Sequence, residues 1–223
     1  MGENPINVFN VGSPDIEILS KQNLSFDQDE LWGGNIVGVG GKPDLSKGFI
    51  FVMQHPVTTE YEQSRSNIRE TIKAIDKLKI PTVWIWPNVD AGADSLSKEL
   101  RIYRETSDSE HLHLFRYLGI DIFCKLLNNA LCVVGNSSAG IKESSYLGTP
   151  SVNVGTRQKG RLSGANVIHV SHNAAEIQEA ILDQIDNGKY PADELYFKPE
   201  TSKNIAEILA TTEVDLQKKL YYE

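Results

Sequence analysis

The sequence has little of several features that mark whole classes of protein. Only two of its 223 residues are cysteines, Cys124 and Cys132, which lie eight residues apart in apolar segments. Such a pair is more typical of buried thiols than of a disulfide, and no His, Cys or carboxylate spacing suggests a metal site. We therefore predict neither a bound metal nor another cofactor.

Long apolar runs and dense basic clusters are also missing. No apolar stretch approaches the roughly 18 residues of a membrane span, and the N-terminus lacks the apolar core of a signal peptide. The net charge is −8, and no Lys/Arg cluster offsets it, which argues against nucleic-acid binding. We expect a protein of the cytosol that binds neither membranes nor nucleic acids.

The sequence does contain short apolar strands that alternate with amphipathic helices. This order is typical of βαβ units, so we predict an α/β fold: one Rossmann-like domain over residues 1–223 with a doubly wound parallel sheet. Six sheet strands are predicted at 49–53, 82–86, 112–118, 131–134, 151–154 and 167–170, with a separate strand at 7–11. Helices are predicted at 14–20, behind a capping box at Thr59–Glu62, at 96–105, 121–128 and 138–147, between Asn173 and Gly188, and at 202–209.

Two stretches have no regular pattern. Scattered glycines and Pro43 predict an irregular loop over residues 21–48. No GxGxxG spacing occurs there, so a plain connector is favoured over a glycine-rich ligand loop. Residues 213–223 are charged, and we expect this tail to fray.

Residues 131–161 carry the strongest functional signal. An apolar strand stops at Gly135, and small residues from Ser137 to Gly140 then open a helical segment. In this layout free backbone N–H groups point at an anion, and small residues let a phosphate come close. Glu143 is spaced to accept from a sugar diol, and Arg157 brings a cation to the same edge. The pattern predicts a nucleotide site, although an ordinary turn with an N-cap serine has the same residues.

Candidate residues follow five successive strands of the predicted sheet. Ligands of such sheets bind beyond the carboxyl ends of the strands, so these residues should share one rim. Each also has a plain alternative, as a turn residue, a surface charge or a solvated helix residue. The rim candidates are His55, Asn88, Leu118, Ser137 and Arg157.

Several separated blocks resemble one known family. The blocks GNSSAGIKE, LGTP, GTRQKGR and GANVIHV, with QHPVTT at 54–59 and PNVDAG at 87–92, are similar to the UDP-N-acetylglucosamine 2-epimerases, especially the hydrolysing branch. The resemblance spans roughly residues 6–190 and implies the second half of a GT-B fold, in which two Rossmann-like domains enclose a UDP-sugar. NVFNVGSPDIE lies in the middle of such proteins. We therefore expect that this chain lacks an N-terminal domain and that Met1 is an internal methionine.

The resemblance also implies roles for the rim residues. Ser137, Ser138 and the backbone up to Gly140 would hold the diphosphate, Glu143 the ribose hydroxyls, and Asn88 with the backbone near Leu118 the nucleoside. His55, the catalytic candidate, and Arg157 would lie where negative charge grows as UDP leaves.

The implied reaction removes the C2 proton of UDP-N-acetylglucosamine, eliminates UDP and adds water, giving N-acetylmannosamine. Its proton-transfer carboxylates come from the first domain, so we expect this chain to be inactive alone and the full-length protein to be a homo-oligomer. Three alternatives stay open: a UDP-diacetamido-trideoxyhexose as substrate, the donor domain of a GT-B glycosyltransferase, and a non-catalytic module that senses nucleotides.

Overall fold

The apolar segments of the sequence form one sheet. The computed structural model describes residues 3–33 and 36–213. Its strands are β1 Gly38–Gly40, β2 Ile50–Met53, β3 Thr82–Ile85, β4 Leu112–Phe115, β5 Cys132–Gly135, β6 Ser151–Val154 and β7 Val167–Val170. They lie in the order β1-β4-β3-β2-β5-β6-β7. All pairings are parallel except that of β1 with β4, which is antiparallel and forms one edge.

Helices cover both faces of this sheet, which confirms the doubly wound α/β prediction. Side chains alternate along each strand, so Ile50 and Val52 pack on one face and Phe51 and Met53 on the other. The first face is covered by α3, α4 and α7, and the second by α2 and α5. The helices are α1 Pro14–Leu19, α2 Gln28–Trp32, α3 Ser64–Leu78, α4 Ala93–Thr106, α5 Ile120–Asn129, α6 Glu143–Leu147, α7 Ala174–Asn187 and α8 Thr201–Thr211.

The centre of the sheet is its most deeply buried part. Every residue of β2 is buried, because β3 and β5 flank it and helices lie above and below. Full burial of one large apolar side chain contributes about 1.5–3 kcal/mol. The strands that end at the rim are therefore held rigidly.

The predictions for the first 48 residues were partly wrong. Residues 8–11 form no strand. A 3₁₀ turn covers Pro5–Asn7, and Val8 and Phe9 are exposed because no neighbouring strand pairs with them. The supposed loop at 21–48 contains α2 and β1, so the sheet has seven strands. Asp27 caps α2 by accepting from the N–H of Asp29 at 3.0 Å, a signal hidden among the scattered glycines.

Two helix starts also differ from prediction. The capping box at Thr59–Glu62 was wrong, because a 3₁₀ helix occupies Thr58–Gln63 and α3 begins at Ser64 without a side-chain cap. Segment 138–147 is divided into a 3₁₀ turn, Ser138–Gly140, and α6. The cap at Asn173 is confirmed, since its Oδ1 accepts from the N–H groups of Ala175 and Glu176. The predicted frayed tail lies almost wholly outside the described residues.

The two ends of the described chain meet beside α6. Glu17 of α1 accepts from the N–H of Ser202 at 2.7 Å and from its Oγ at 2.6 Å, which ties α1 to α8. Among the helices of residues 3–33 and 36–213, none combines the length and apolar character that a membrane crossing requires.

Candidate functional site

The structure brings the ends of four strands together around Asn136. This residue follows β5, and its side chain and carbonyl contact the segments after β2 and β6. His55 follows β2 and in turn contacts the segment after β3, at Asn88. The rim predicted from the sequence is therefore present for His55, Asn88 and Arg157.

His55 is buried, at 8% exposure, and held at two points. Its N–H donates to Oδ1 of Asn136 at 2.7 Å, and its Nδ1 accepts from the N–H of Asn88 at 3.2 Å. Because Nδ1 is the acceptor, the ring proton lies on Nε2. Burial lowers the pKa of His55 to about 4, helped by the charge of Arg157 and opposed by Asp90. At neutral pH His55 is thus an uncharged N–H donor.

Residues 135–140, which we call the anion turn, leave backbone donors open. Gly135 has φ 128°, and a Cβ there would lie 2.2 Å from the carbonyl oxygen of Met53, so only glycine fits. Ser137 Oγ accepts a long hydrogen bond from the N–H of Ala139 at 3.4 Å. Within the described residues, the N–H groups of Ser137 and Ser138 donate to no protein acceptor. Two adjacent open amides can bind an anion.

Glu143 begins α6, just beyond the anion turn. Burial raises the pKa of its carboxyl above the ordinary value, and Lys142 opposes that rise. Its Oε2 is buried and has no hydrogen-bond partner in the part of the chain that the structure describes. A carboxylate oxygen in this position needs a donor, and a pair of ligand hydroxyls would supply one.

Leu118 lies between β4 and α5. Its side chain is 7% exposed and packs in the same apolar cluster as Ala139 of the anion turn. Only its backbone can therefore serve a polar ligand. Within residues 3–33 and 36–213, no hydrogen bond connects Leu118 or the Glu143 side chain to His55, Asn88 or Arg157. These two residues lie beside the contact network and not in it.

Arg157 lies on an exposed loop after β6. Its Nη1 donates to the carbonyl of Asn136 at 3.2 Å, and the neighbouring Thr156 Oγ1 donates to Glu60. The loop begins at Gly155, where φ is 79° and a Cβ would lie 2.2 Å from Nε2 of His172. These contacts place a guanidinium beside the anion turn.

Sequence reasoning missed the residues that hold this arrangement together. Asn136 is 1% exposed, and Gln158, at 2%, donates from Nε2 to its carbonyl at 2.7 Å. The Gly-Asn pair indicated only a turn, and Gln158 stood among charged loop residues without a distinguishing pattern. His172, given no role from the sequence, packs against Gly155. The described residues contain no group of His, Cys, Asp and Glu able to hold a metal ion.

Comparison with known proteins agrees with the fold. A sequence profile of the UDP-N-acetylglucosamine 2-epimerase family matches residues 1–210. UDP-N-acetylglucosamine 2-epimerase of Neisseria meningitidis serogroup B is 31% identical over 96% of this chain and 54% of its own length. The GDP/UDP-N,N'-diacetylbacillosamine 2-epimerase (hydrolyzing) of Campylobacter jejuni is 30% identical over 75% of this chain and 42% of its own. The chain thus spans about half the length of the curated relatives it matches.

Solved structures show the same fold. UDP-GlcNAc 2-epimerase of Methanocaldococcus jannaschii, solved in complex with UDP-GlcNAc and UDP, superposes with a TM-score of 0.67 over 95% of this chain and 57% of that one, at 14% identity. The Neisseria meningitidis enzyme bound to UDP-GlcNAc gives a TM-score of 0.60 over 89% and 52%, at 12% identity. Both place the chain in one half of a GT-B-like fold. The profile match covers nearly the whole sequence, and the chain belongs to the UDP-N-acetylglucosamine 2-epimerase family.

Proposed function

We propose that this chain is the UDP-binding half of a UDP-sugar 2-epimerase of the hydrolysing type. One observation carries the proposal: the two open amides of the anion turn directly follow a residue that is hydrogen-bonded both to a neutral buried histidine and to a guanidinium. That residue is Asn136. A diphosphate is the anion that uses several donors spread along one edge in this way.

Each group has a part in this binding. The N–H groups of Ser137 and Ser138, with the backbone up to Gly140, hold the diphosphate, and the open Oε2 of Glu143 accepts from the ribose hydroxyls. The nucleoside lies toward Asn88 and the backbone near Leu118.

His55 and Arg157 act on the leaving group. As the bond between C1 of the sugar and the diphosphate oxygen breaks, negative charge grows on UDP. The Nε2–H of His55 and the guanidinium of Arg157 donate to that charge as it develops. Preorganised donors of this kind each lower a barrier by about 3 kcal/mol.

The complete reaction needs a further domain. A base removes the C2 proton, UDP leaves from C1, and water then adds OH to C1 and a proton to C2, so that UDP and N-acetylmannosamine are the products. We propose that residues 1–223 form one domain, that an N-terminal domain supplies the acids for the proton transfers, that the full-length protein is a homo-oligomer and that this chain alone is inactive.

A second candidate substrate has specific support. The Campylobacter jejuni relative and one from Legionella pneumophila, 26% identical, are both named as hydrolysing epimerases of diacetylbacillosamine nucleotides. These names favour the hydrolysing outcome and make a UDP-diacetamido-trideoxyhexose the alternative to UDP-N-acetylglucosamine.

Product analysis of the full-length protein tests the proposal. Incubation with each UDP-sugar, followed by NMR of the products, should give free UDP and the free 2-epimer of the sugar. UDP-N-acetylmannosamine as product would instead show a non-hydrolysing epimerase, and transfer of the sugar to an acceptor would show a glycosyltransferase. If neither UDP-sugar is consumed although UDP binds, the protein is a nucleotide-binding module and the enzymatic proposal fails.

Calorimetry tests the UDP site by itself. We expect Arg157→Ala to weaken UDP binding about tenfold or more, because a hydrogen bond between charged groups contributes about 1.5–3 kcal/mol. Arg104→Ala is the matched control, since Arg104 lies on α4 and, among the described residues, pairs only with the adjacent Glu105 at 3.6 Å. Equal loss in both variants would mean that net charge, and not the position of Arg157, governs binding.

A further inference from the structure

Asn136 occupies the point where the β2–β5 ladder ends. Its N–H donates to the carbonyl of Met53 at 3.0 Å, one step beyond the paired strands. In a regular parallel ladder the N–H of His55 would donate to a backbone carbonyl of the neighbouring strand, but here it donates to the side chain of Asn136. At this position the Asn136 side chain makes the backbone hydrogen bonds that a neighbouring strand would otherwise make.

The side chain makes two hydrogen bonds to one residue. Its Oδ1 accepts from the N–H of His55 at 2.7 Å, and its Nδ2 donates to the carbonyl of His55 at 2.8 Å. A carboxamide carries one donor and one acceptor side by side, so it matches a peptide group as no carboxylate, hydroxyl or apolar side chain can. The backbone of His55 is therefore fixed by Asn136, while Asn88 fixes the ring.

The carbonyl of Asn136 holds the segment that carries Arg157. It accepts from Nη1 of Arg157 at 3.2 Å and from Nε2 of Gln158 at 2.7 Å, so both of its lone pairs are used. Gln158 is buried, which makes its bond the firmer anchor of the exposed Arg157 loop.

We propose that Asn136 is a positioning residue that sets the spacing between His55, the anion turn and Arg157. The inference rests on the proposed function of this site, and it assigns to Asn136 and Gln158 a role that the comparisons do not. Asn136 acts through its neighbours: its side chain aligns His55, and its carbonyl aligns the loop of Arg157. The three groups that meet the leaving diphosphate then keep one geometry through the reaction.

A double-mutant cycle in the full-length protein tests this role. Asn136→Ala should lower kcat about 30-fold or more, but by less than about threefold when His55→Ala is already present, because coupled residues are not additive. Asn136→Asp, which has the same shape but no donor for the His55 carbonyl, should lose about as much as Asn136→Ala. Equal losses from Asn136→Ala in both backgrounds, or no loss at all, would overturn the proposal.

Gln184→Ala is the matched control. Gln184 is also a fully buried amide, and its Nε2 donates to the carbonyls of Ser151 and Asn166, away from the rim. Its replacement should lower stability but leave the His55 coupling unchanged. If Asn136→Ala does not fold, Gln158→Ala examines the carbonyl contact, with an expected loss of about fivefold in kcat that disappears in an Arg157→Ala background.

A readout that needs no turnover separates this inference from the proposed function. NMR titration of His55 in the full-length protein should show its pKa rising towards the ordinary 6.5 in Asn136→Ala, because the released backbone lets the ring move away from the Asn88 amide into water, and remaining low in Gln184→Ala. An unchanged His55 titration in Asn136→Ala would refute the positioning role. If no UDP-sugar is consumed and UDP does not bind, the proposed function fails, and this titration still decides the role of Asn136.

Discussion

Two buried polar regions lie beside the same strands, β5 and β6. The first, which we call the Asn166 network, consists of Ser144, Ser145, Thr149, Asn166 and Gln184. Its bonds are closed: Nδ2 of Asn166 donates to the carbonyl of Thr149 at 2.7 Å and to Ser144 Oγ at 3.2 Å, and its Oδ1 accepts from Ser145 Oγ at 2.8 Å. The Oε1 of Gln184 accepts from the hydroxyl of Tyr190 at 2.8 Å.

The second region, the rim around the anion turn, contains buried polar atoms without hydrogen-bond partners within the described parts of the chain. These atoms are Oε1 of Gln54, Oε2 of Glu143, Oε1 of Gln158 and both ring nitrogens of His172. A buried polar group without a partner costs about 1–3 kcal/mol, so a protein retains it where something else supplies the partner. Unpaired buried atoms also occur elsewhere in the described residues, at Thr71, Trp84 and His111, but under the proposed function those of the rim are the ones that a ligand would pair.

Removing the central side chain of the Asn166 network should have the largest effect on stability. Asn166→Ala removes three hydrogen bonds and leaves the Thr149 carbonyl without a donor, so the free energy of unfolding should fall by about 3 kcal/mol. Urea unfolding measures this loss. UDP affinity should change less than threefold, because the network holds no diphosphate contact.

The control for this variant is Asn187→Ala. Asn187 is an exposed amide whose Nδ2, within the part of the chain that the structure describes, donates only to the carbonyl of Gly188, so its removal should leave unfolding nearly unchanged. If Asn166→Ala abolished UDP binding while the protein stayed folded, the distinction between the two regions would be wrong.

Neutralising the unpaired carboxylate of the rim should have the opposite effect on stability. Burial raises the pKa of Glu143 in the folded protein, so ionisation at pH 7 destabilises the fold, and Glu143→Gln should unfold at a higher urea concentration than wild type. UDP should bind about 10- to 100-fold more weakly, because the charged acceptor that we propose for the ribose hydroxyls is lost. Urea unfolding measures the expected gain in stability of this variant, and calorimetry measures its expected loss of UDP affinity.

Glu207→Gln provides the comparison for Glu143→Gln. Glu207 lies exposed on α8, far along the chain from the rim, so its replacement should change neither property. A Glu143→Gln variant that loses stability would show that the carboxylate has a protein partner and is not kept for a ligand.

The sequence predicted the parts of the fold that depend on local pattern. Buried strands such as β2 and β5 are short apolar runs, and the carboxyl edge follows from strand–helix alternation, so the placement of His55, Asn88 and Arg157 on one rim could be inferred. β1 could not, because Gly38–Gly40 has no apolar period and becomes a strand only by pairing with β4. The strand expected at 7–11 failed for the converse reason, since an apolar run without a neighbour does not pair.

The site was predicted less completely than the fold. Residues with distinctive chemistry, such as His55 and Glu143, stood out, whereas Asn136 and Gln158 did not. Their roles come from contacts across 81 and 22 positions of sequence, and an asparagine beside a glycine indicates only a turn. Supporting amides are therefore visible only once the chain is folded.

The smallest expected effect concerns His55, the one rim residue whose ring is both buried and anchored. Burial lowers its pKa from 6.5 to about 4. At a pH between these two pKa values, the unfolded chain binds a proton at His55 that the folded protein does not bind. Stability is thus full above pH 6.5 and falls on acidification, by about 1–2 kcal/mol at pH 5. His111, His113 and His172 also have pKa values lowered by burial, so the difference between wild type and His55→Gln isolates the contribution of His55. Urea unfolding at pH 7, 6 and 5 should show a shallower loss for the variant, whereas parallel curves would mean that folding does not lower the pKa of His55.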